Sequence, residues 1–540
     1  MAKGKFDSLE DRMRRYASAS AEVAFYAGDF EQAYRLSLPT RNRWLMSNTQ
    51  IYDKSTQQFD FTAVHSLQEF ASNMQSLLMP GGKKWFSYKP GIDFENPNLK
   101  LIIEKKLQKH SDHTLRILQS SNLDLEVNLA LQDAGISTGL LQISIDPENK
   151  FSPIRFEAIP MHQVAIGEYN GKIENVWRKF HLPVRDIKSI WPMANISSEI
   201  QEMLDVNSNQ RIELIESTIY YPDNPDHSKY LYSLAHLESK FELIFEPRAW
   251  SPWIPFRYNV SIGETWGSGP VRAGLSLIRQ ANMLAKFELT HAGYNVPKPL
   301  MVDGAAILNP RNLKMKPGMM LNVKDSRNPP LVPLDITGNL KFEQLSLQRL
   351  QQQIRDMLFS DPLGPVDSSR QTATESQIRQ NNYLRRNNSS ISRLYEELAV
   401  PIVKKTTFLL EKHGLLPNFK VGDDNIEFNV DGQTVDIVFD SPLSKIQKQE
   451  DLQAIDTFYQ SLAGMFGTAG PTAIIGATNI AKLPEIMAEK LGIPLELVKS
   501  EGEVLQVIQQ AIQQQQPPQQ PQPQQIPQAG GQMNPMMQPQ

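Results

Sequence analysis

The sequence predicts an α+β chain, predominantly helical, built from several parts. Three observations carry this. Residues 1–120 repeat their apolar side chains at helical spacing. From about 139 to 256 the apolar period shortens to that of strands. Beyond 267, two helical stretches enclose a proline-rich segment of short apolar runs.

The helical signal is clearest at 60–79, where Phe61, Val64, Leu67, Phe70, Met74, Leu77 and Leu78 fall on one face. Pro80-Gly81-Gly82 ends that helix, and a strand over 85–88 follows. Residues 99–131 read as two more helices split at Ser120-Ser121-Asn122. The runs 140–145, 154–159 and 173–180 read as strands, with a helix near 184–191. A loop at 267–270 ends in a first-turn proline, Pro270, and opens a helix to about 292. Short apolar runs at 299–302, 319–323 and 331–334 make a small β-rich module, and a second helix covers 340–359. Thr372 and Glu375 have capping-box spacing and start a long helix to about 413, which Gly414 caps and Pro401 bends. Strands at 426–430 and 434–439 flank Asp431-Gly432, a hairpin turn. Ser441-Pro442 opens further helices to about 513. Gln, Pro, Met and Gly dominate the remainder, which cannot bury enough apolar surface to order itself.

The chain has 540 residues, 40% of them hydrophobic and 21% charged, as in an ordinary globular protein. Its formal net charge of -4 predicts no tight, extended grip on nucleic acid. With no cysteine, disulfides and thiol chemistry are excluded, which fits a reducing cytoplasm. The charged N-terminus is not a signal peptide, and no apolar run is long enough to span a membrane.

Motifs for chemistry are missing. There is no phosphate-binding GxxxxGK[ST], no GxSxG and no HExxH. Gly81-Gly82-Lys83-Lys84 lacks the flanking strand and helix of a phosphate loop and reads as a turn. His110 and His113 share a helix face without a third ligand and read as an exposed pair. No cofactor and no metal are expected, and the chain is not expected to be an enzyme.

Two basic stripes stand out. Arg272, Arg279 and Lys286 recur every seven residues, close to two helical turns, with Glu288 the only acid between 270 and 292. Arg379, Arg386 and Arg393 repeat that spacing on the long helix, with Arg385 beside them and no acid from 376 to 394. They suit a polyanion, a solvated face or a salt-bridged face between subunits.

Several stretches together resemble the portal, or head-to-tail connector, family of short-tailed phages. These are FTAVHSLQEFASNMQSLLMPGGKKWF, DLEVNLALQDAGISTGLLQISID, PWIPFRYNVSIGETWGSGPVRAGLSLIRQANML and RQTATESQIRQ, in that order, with a Gln-rich tail. The resemblance covers roughly residues 10–500. It implies a portal fold assembled as a ring, normally of twelve subunits. Its parts would be a wing (1–266), stem helix 1 (267–294), a β-rich clip (295–338), stem helix 2 (339–359), a tunnel loop (360–372), a long helix and hairpin returning to the wing (373–440), and a helical crown (441–514), followed by a tail (515–540). Twelve helices each about 10 Å wide would enclose a bore of roughly 28 Å, enough for duplex DNA. The resemblance further implies double-stranded DNA in the channel, a terminase and then tail adaptor proteins on the clip, and major capsid and scaffolding proteins around the wing. The location would be the head–tail vertex of the virion, after assembly in the host cytoplasm. Spacing places Arg272, Arg279 and Lys286 on the stem, and Arg370, Arg379, Arg386 and Arg393 nearer the tunnel loop, as candidates to guide DNA without arresting it. Two alternatives share the composition. One is a virion adaptor that does not thread DNA, and the other a nuclease with a carboxylate metal site, marked by magnesium-dependent cleavage.

Overall fold

The structure is a computed structural model that describes residues 6–41, 58–90, 97–146, 149, 151–224, 228–295, 300–302, 331–333, 340–360, 385–416, 435–439, 442–466, 478, 482–491, 502 and 504–506. The chain divides into two compact units, Met1–Ser441 and Pro442–Gln540.

The first unit opens with four helices. Helix α1 (Leu9–Ser37) starts where the Ser8 hydroxyl accepts from the Asp11 amide, with Glu10 and Asp11 in the positive first turn. Helix α2 (Thr62–Leu78) buries Leu67, Phe70, Ala71, Met74 and Leu78, each side chain contributing on the order of 1.5–3 kcal/mol for the larger ones. Phe61 belongs to the apolar pattern but stands at the helix start and is 53% exposed. Strand β1 (Phe86–Pro90) follows, then helices α3 (Pro97–Ser120) and α4 (Leu123–Ile136), which part at Ser121 and Asn122 as expected.

Two antiparallel sheets come next. The smaller holds β2 (Thr138–Ile145), β3 (Ile154–Ala158) and β9 (Trp253–Arg257) in the order β3-β2-β9. Strands β4 (Val164–Tyr169), β5 (Lys172–Pro183), β6 (Arg211–Tyr220), β7 (Tyr230–His236) and β8 (Phe241–Arg248) form a meander in that order. Asn170 and Gly171 both have positive φ, which suits the two-residue turn between β4 and β5. Short helices α5 (Ile187–Ile190) and α6 (Ser198–Val206) bridge β5 to β6 and cover an apolar cluster of Val184, Ile187, Ile200, Leu214, Leu234 and Leu243. Glu216 of the meander ties to the smaller sheet, accepting from Gln142 Nε2 and Tyr232 OH, both at 2.8 Å. Burial raises its carboxyl pKa against the opposing pull of Arg178.

Both edges of the smaller sheet are closed by side chains from helices. On β3, Asn122 donates to Phe156 O and accepts from Phe156 N, while Glu126 accepts from Ala158 N. On β9, Lys405 donates to Trp253 O and Glu397 accepts from Arg257 N. Pro255 between them has no amide to satisfy. Edge groups left open would invite another strand, and here helices occupy them.

The helix that closes β9 runs as α10 (Asn388–Leu394), a π-turn (Tyr395–Ala399) and α11 (Val400–Lys412). The bend expected at Pro401 takes the form of this π-turn. Pro401 has no N–H to donate, and the wider turn ahead of it makes room for its ring. Gly414, at φ +65°, caps the helix, with Leu415 N donating to Leu410 O. Strand β12 (Val435–Phe439) returns to pair antiparallel with β1. The expected strands at 319–323 and 426–430 lie outside the described residues. The second unit contains α12 (Pro442–Phe466) and α13 (Leu483–Leu491), which flank an apolar cleft of about 370 Å³ lined by Ile455, Phe458, Leu483 and Ile486. The Gln-rich tail lies outside the described residues.

A buried acid ties α1 to α4. Asp133, 1% exposed, accepts from Tyr34 OH at 2.9 Å and pairs with Arg41 at 3.1 Å. Burial outweighs both partners and pushes its carboxyl up to about 6 from 3.8. A raised carboxyl contributes stability that is full below pH about 4 and is lost as pH rises through about 6. The shift corresponds to about 3 kcal/mol. Asp133→Asn should therefore gain up to about 3 kcal/mol relative to the parent between pH 4 and 7.5. Urea unfolding at the two pH values measures this, and a parallel response would contradict it.

Candidate nucleic-acid interface

The helix pair expected to carry the first basic stripe is rooted in a backbone-to-backbone contact. The turn at 265–269 runs against the end of α4 and the start of β2. Gly267 N donates to Thr138 Oγ1 at 2.9 Å, Ser137 Oγ donates to Gly267 O at 2.8 Å, and Gly269 N donates to Ile136 O at 3.1 Å. A Cβ on Gly267 would lie 2.2 Å from Ser137 O, and one on Gly269 would lie 2.2 Å from Gly135 O. Trp266, fully buried, packs on Phe30 of α1 at 5.7 Å between rings. The two glycine-bearing stretches singled out in the sequence thus meet each other.

Above this root the expected single helix is broken. Helix α7 (Pro270–Ala273) ends at Gly274, and α8 (Leu275–Asn295) continues. Gly274 lets Met357 of helix α9 (Leu340–Met357) approach, since a Cβ there would lie 2.0 Å from its sulfur. The contact joins the start of α8 to the end of α9, so the two helices form an antiparallel hairpin. Between them, β10 (Leu300–Val302) and β11 (Leu331–Pro333) pair antiparallel. Asn282 Oδ1 accepts from the amides of Phe59 and Asp60, and Gln351 donates to Asp60 Oδ1, which pins the hairpin to the start of α2. Burial along α8 stops at Ala281. Beyond it Met283, Phe287 and Leu289 are 52–63% exposed, and Leu345 on α9 is 67% exposed.

The basic residues divide by environment. Arg272 departs from the expected stripe. Its guanidinium lies over Tyr26 at 4.6 Å and pairs with Glu264 at 3.1 Å, because the break at Gly274 places it in the short α7 against α1. Arg279 is exposed, with Asp29 of α1 at 3.9 Å. Lys286 is exposed, its Nζ 5.7 Å from the Phe59 ring. On the long helix Arg386 is exposed, and Arg393 pairs with Glu397 at 3.3 Å. Arg370 and Arg379 lie outside the described residues.

Arg257 and Glu397, which sequence reading did not single out, hold the long helix in register. Arg257 is 3% exposed on its side chain and donates from Nε and Nη2 to the Glu397 carboxylate, from Nη1 to Thr265 O and from Nη2 to Gly171 O. Glu397 sits in the π-turn, between Arg257 and Arg393. Eight helical residues rise about 12 Å and four strand residues about 13 Å, so Glu397 and Lys405 reach opposite ends of β9. Only the side-chain types could have hinted at this pair, since 140 positions separate them. Burial lowers the Lys405 ammonium to about 7, with Glu174 acting against it.

Among the described residues no group of three His, Asp or Glu is placed to hold a metal, and no helix is long and apolar enough to cross a membrane. His113 faces Leu415 O at the long helix's end, and His110 is buried, which lowers its pKa, so the pair is not the exposed one expected.

The exposed basic residues Arg279 and Lys286 thus lie on a helix hairpin carried by a mixed helix-and-strand body. The chain matches the model of the bacteriophage head to tail connecting protein family over residues 10–498, and it belongs to that family. Membership places it in the phage particle at the head–tail junction, assembled with capsid and tail. No curated protein matches the chain.

Proposed function

We propose that the protein is the portal subunit: copies assemble into a ring, normally of twelve, whose channel passes double-stranded DNA during packaging and ejection. One observation carries this reading beyond family membership. The α8/α9 hairpin is too thin to bury its own apolar residues, and it exposes them on more than one side. Phe287 and Leu289 project about 200° apart around α8. A ring gives every hairpin a neighbour on each flank, which covers both. The net charge of -4 suits a channel that must not hold DNA tightly.

In this ring a terminase docks on the clip during packaging and tail adaptor proteins follow, with capsid and scaffolding proteins around the wing. The energy source is the terminase, and this chain is not an enzyme. Arg386 and Arg393 of the long helix, with Arg370 and Arg379 in the preceding segment, present basic rings to DNA. Replacing Arg386 and Arg393 together with Gln should leave ring formation intact and weaken the salt dependence of DNA packaging. Packaging measured from 50 to 200 mM salt checks this. An unchanged salt dependence removes these residues from the DNA path.

A further inference from the structure

The face carrying Arg279 is not only basic. Arg279, Met283 and Phe287 stand four residues apart and share one strip of α8. Met283 is 59% exposed and Phe287 52%. The strip continues onto α1 through the Arg279–Asp29 pair at 3.9 Å, because Phe25 precedes Asp29 by one turn and is 83% exposed. Large apolar side chains gain nothing from facing a hydrated polyphosphate backbone, and they are the ordinary content of a protein–protein contact.

The complementary surface lies on the same chain. A cleft of about 650 Å³ opens between the start of α2 and the end of α9, lined by Asp60, Phe61, Glu69 and Arg355 among others. Asp60 is 7% exposed, and its Oδ2 is buried without a hydrogen-bond partner, while Oδ1 is taken by Thr62 and Gln351. Phe61 is 53% exposed at the rim, and Glu69 is exposed. Around α8, Asn282, which grips this region, lies about 60° from Arg279, about 100° from Met283 and about 140° from Phe287, so the strip turns away from the cleft towards its Phe287 end. One side presents apolar side chains with Arg279, and the other presents Phe61 and Glu69 at a cleft whose lining also includes His65 and Arg355.

We infer that the Arg279–Met283–Phe287 strip of one copy packs on the Phe61–Glu69 cleft of the next. The stripe read as a DNA contact is then a seam between subunits. The inference rests on the ring reading and assigns its contact surfaces. A head-to-tail pairing of two different patches propagates around a ring, whereas a self-complementary patch stops at a dimer.

The chain has no cysteine, which gives a clean background for cross-linking. Met283→Cys and Phe61→Cys are made singly and together in the full chain, assembled, oxidised and run under denaturing, non-reducing conditions. The double variant should yield a ladder of covalent dimers, trimers and higher species, and each single variant should stay monomeric on the gel. Charge exchange gives a second readout by native mass. Arg279→Glu should shift the population from rings to monomers by tenfold or more, and adding Glu69→Arg should restore rings. Both residues are exposed, so circular dichroism should show unchanged folding. Parent rings without a ladder in the double variant overturn the seam and leave the ring reading standing. A parent that forms no ring overturns the ring reading itself.

Discussion

Replacing Glu397 with Ala should cost about 3–5 kcal/mol of folding stability, the largest single-residue effect expected in this protein. The guanidinium it leaves behind is almost wholly buried, and Glu168, at 3.9 Å and partly exposed, is the one other acid in reach among the described residues. The change also frees the outward amide of Arg257 on the sheet edge. The cost comes from an unpaired buried charge rather than from a strong pair. The double change Arg257→Met with Glu397→Leu should therefore cost less than Glu397→Ala alone, since no buried charge remains and only neutral groups lose partners: the carbonyls of Gly171 and Thr265 and the amide at 257. Chemical denaturation of the three chains measures both claims. A loss below about 1 kcal/mol for Glu397→Ala would mean that water or Glu168 replaces the carboxylate.

Gly269→Ala is expected to be comparably severe. Its Cβ would sit 2.2 Å from Gly135 O and 2.3 Å from Gly135 C, both backbone atoms that no rotamer change can move. Overpacking in a core costs about 1–3 kcal/mol when side chains can adjust, and here they cannot, so the loss should reach or exceed about 3 kcal/mol. The hairpin root should part from α4, and oligomers should be lost along with it. Gly464→Ala is the matched control, with open space around its Cβ position and a helical backbone. Equal thermal stability of Gly269→Ala and the parent would contradict the close approach.

Local signals in the sequence reached a good part of the fold. The α2 stripe, the break at Ser121 and Asn122, the Gly414 cap and the Pro442 start are all written in short-range chemistry. What escaped was long-range. The break at Gly274 comes from packing against Met357, more than eighty positions later, and it is this break that removes Arg272 from the stripe. The π-turn at Tyr395–Ala399 is legible only as a bend at Pro401, and nothing local shows that Glu397 within it meets Arg257. The closed edges of the smaller sheet depend on Asn122, Glu126, Glu397 and Lys405, polar residues whose partners are backbone atoms of distant strands. Seven-residue spacing finds a helix face, but only the neighbours Met283 and Phe287 show that a face is partly apolar.

In the proposed assembly, copies of this chain close into a ring around a channel for duplex DNA. Class-averaged electron microscopy of the purified protein, with native mass to count subunits, tests it most directly. The expected result is a closed ring of about a dozen copies, with a central opening of roughly 28 Å before loops narrow it. A stable monomer, or an oligomer with no opening of duplex width under assembly conditions, would contradict it and favour a virion adaptor that does not thread DNA.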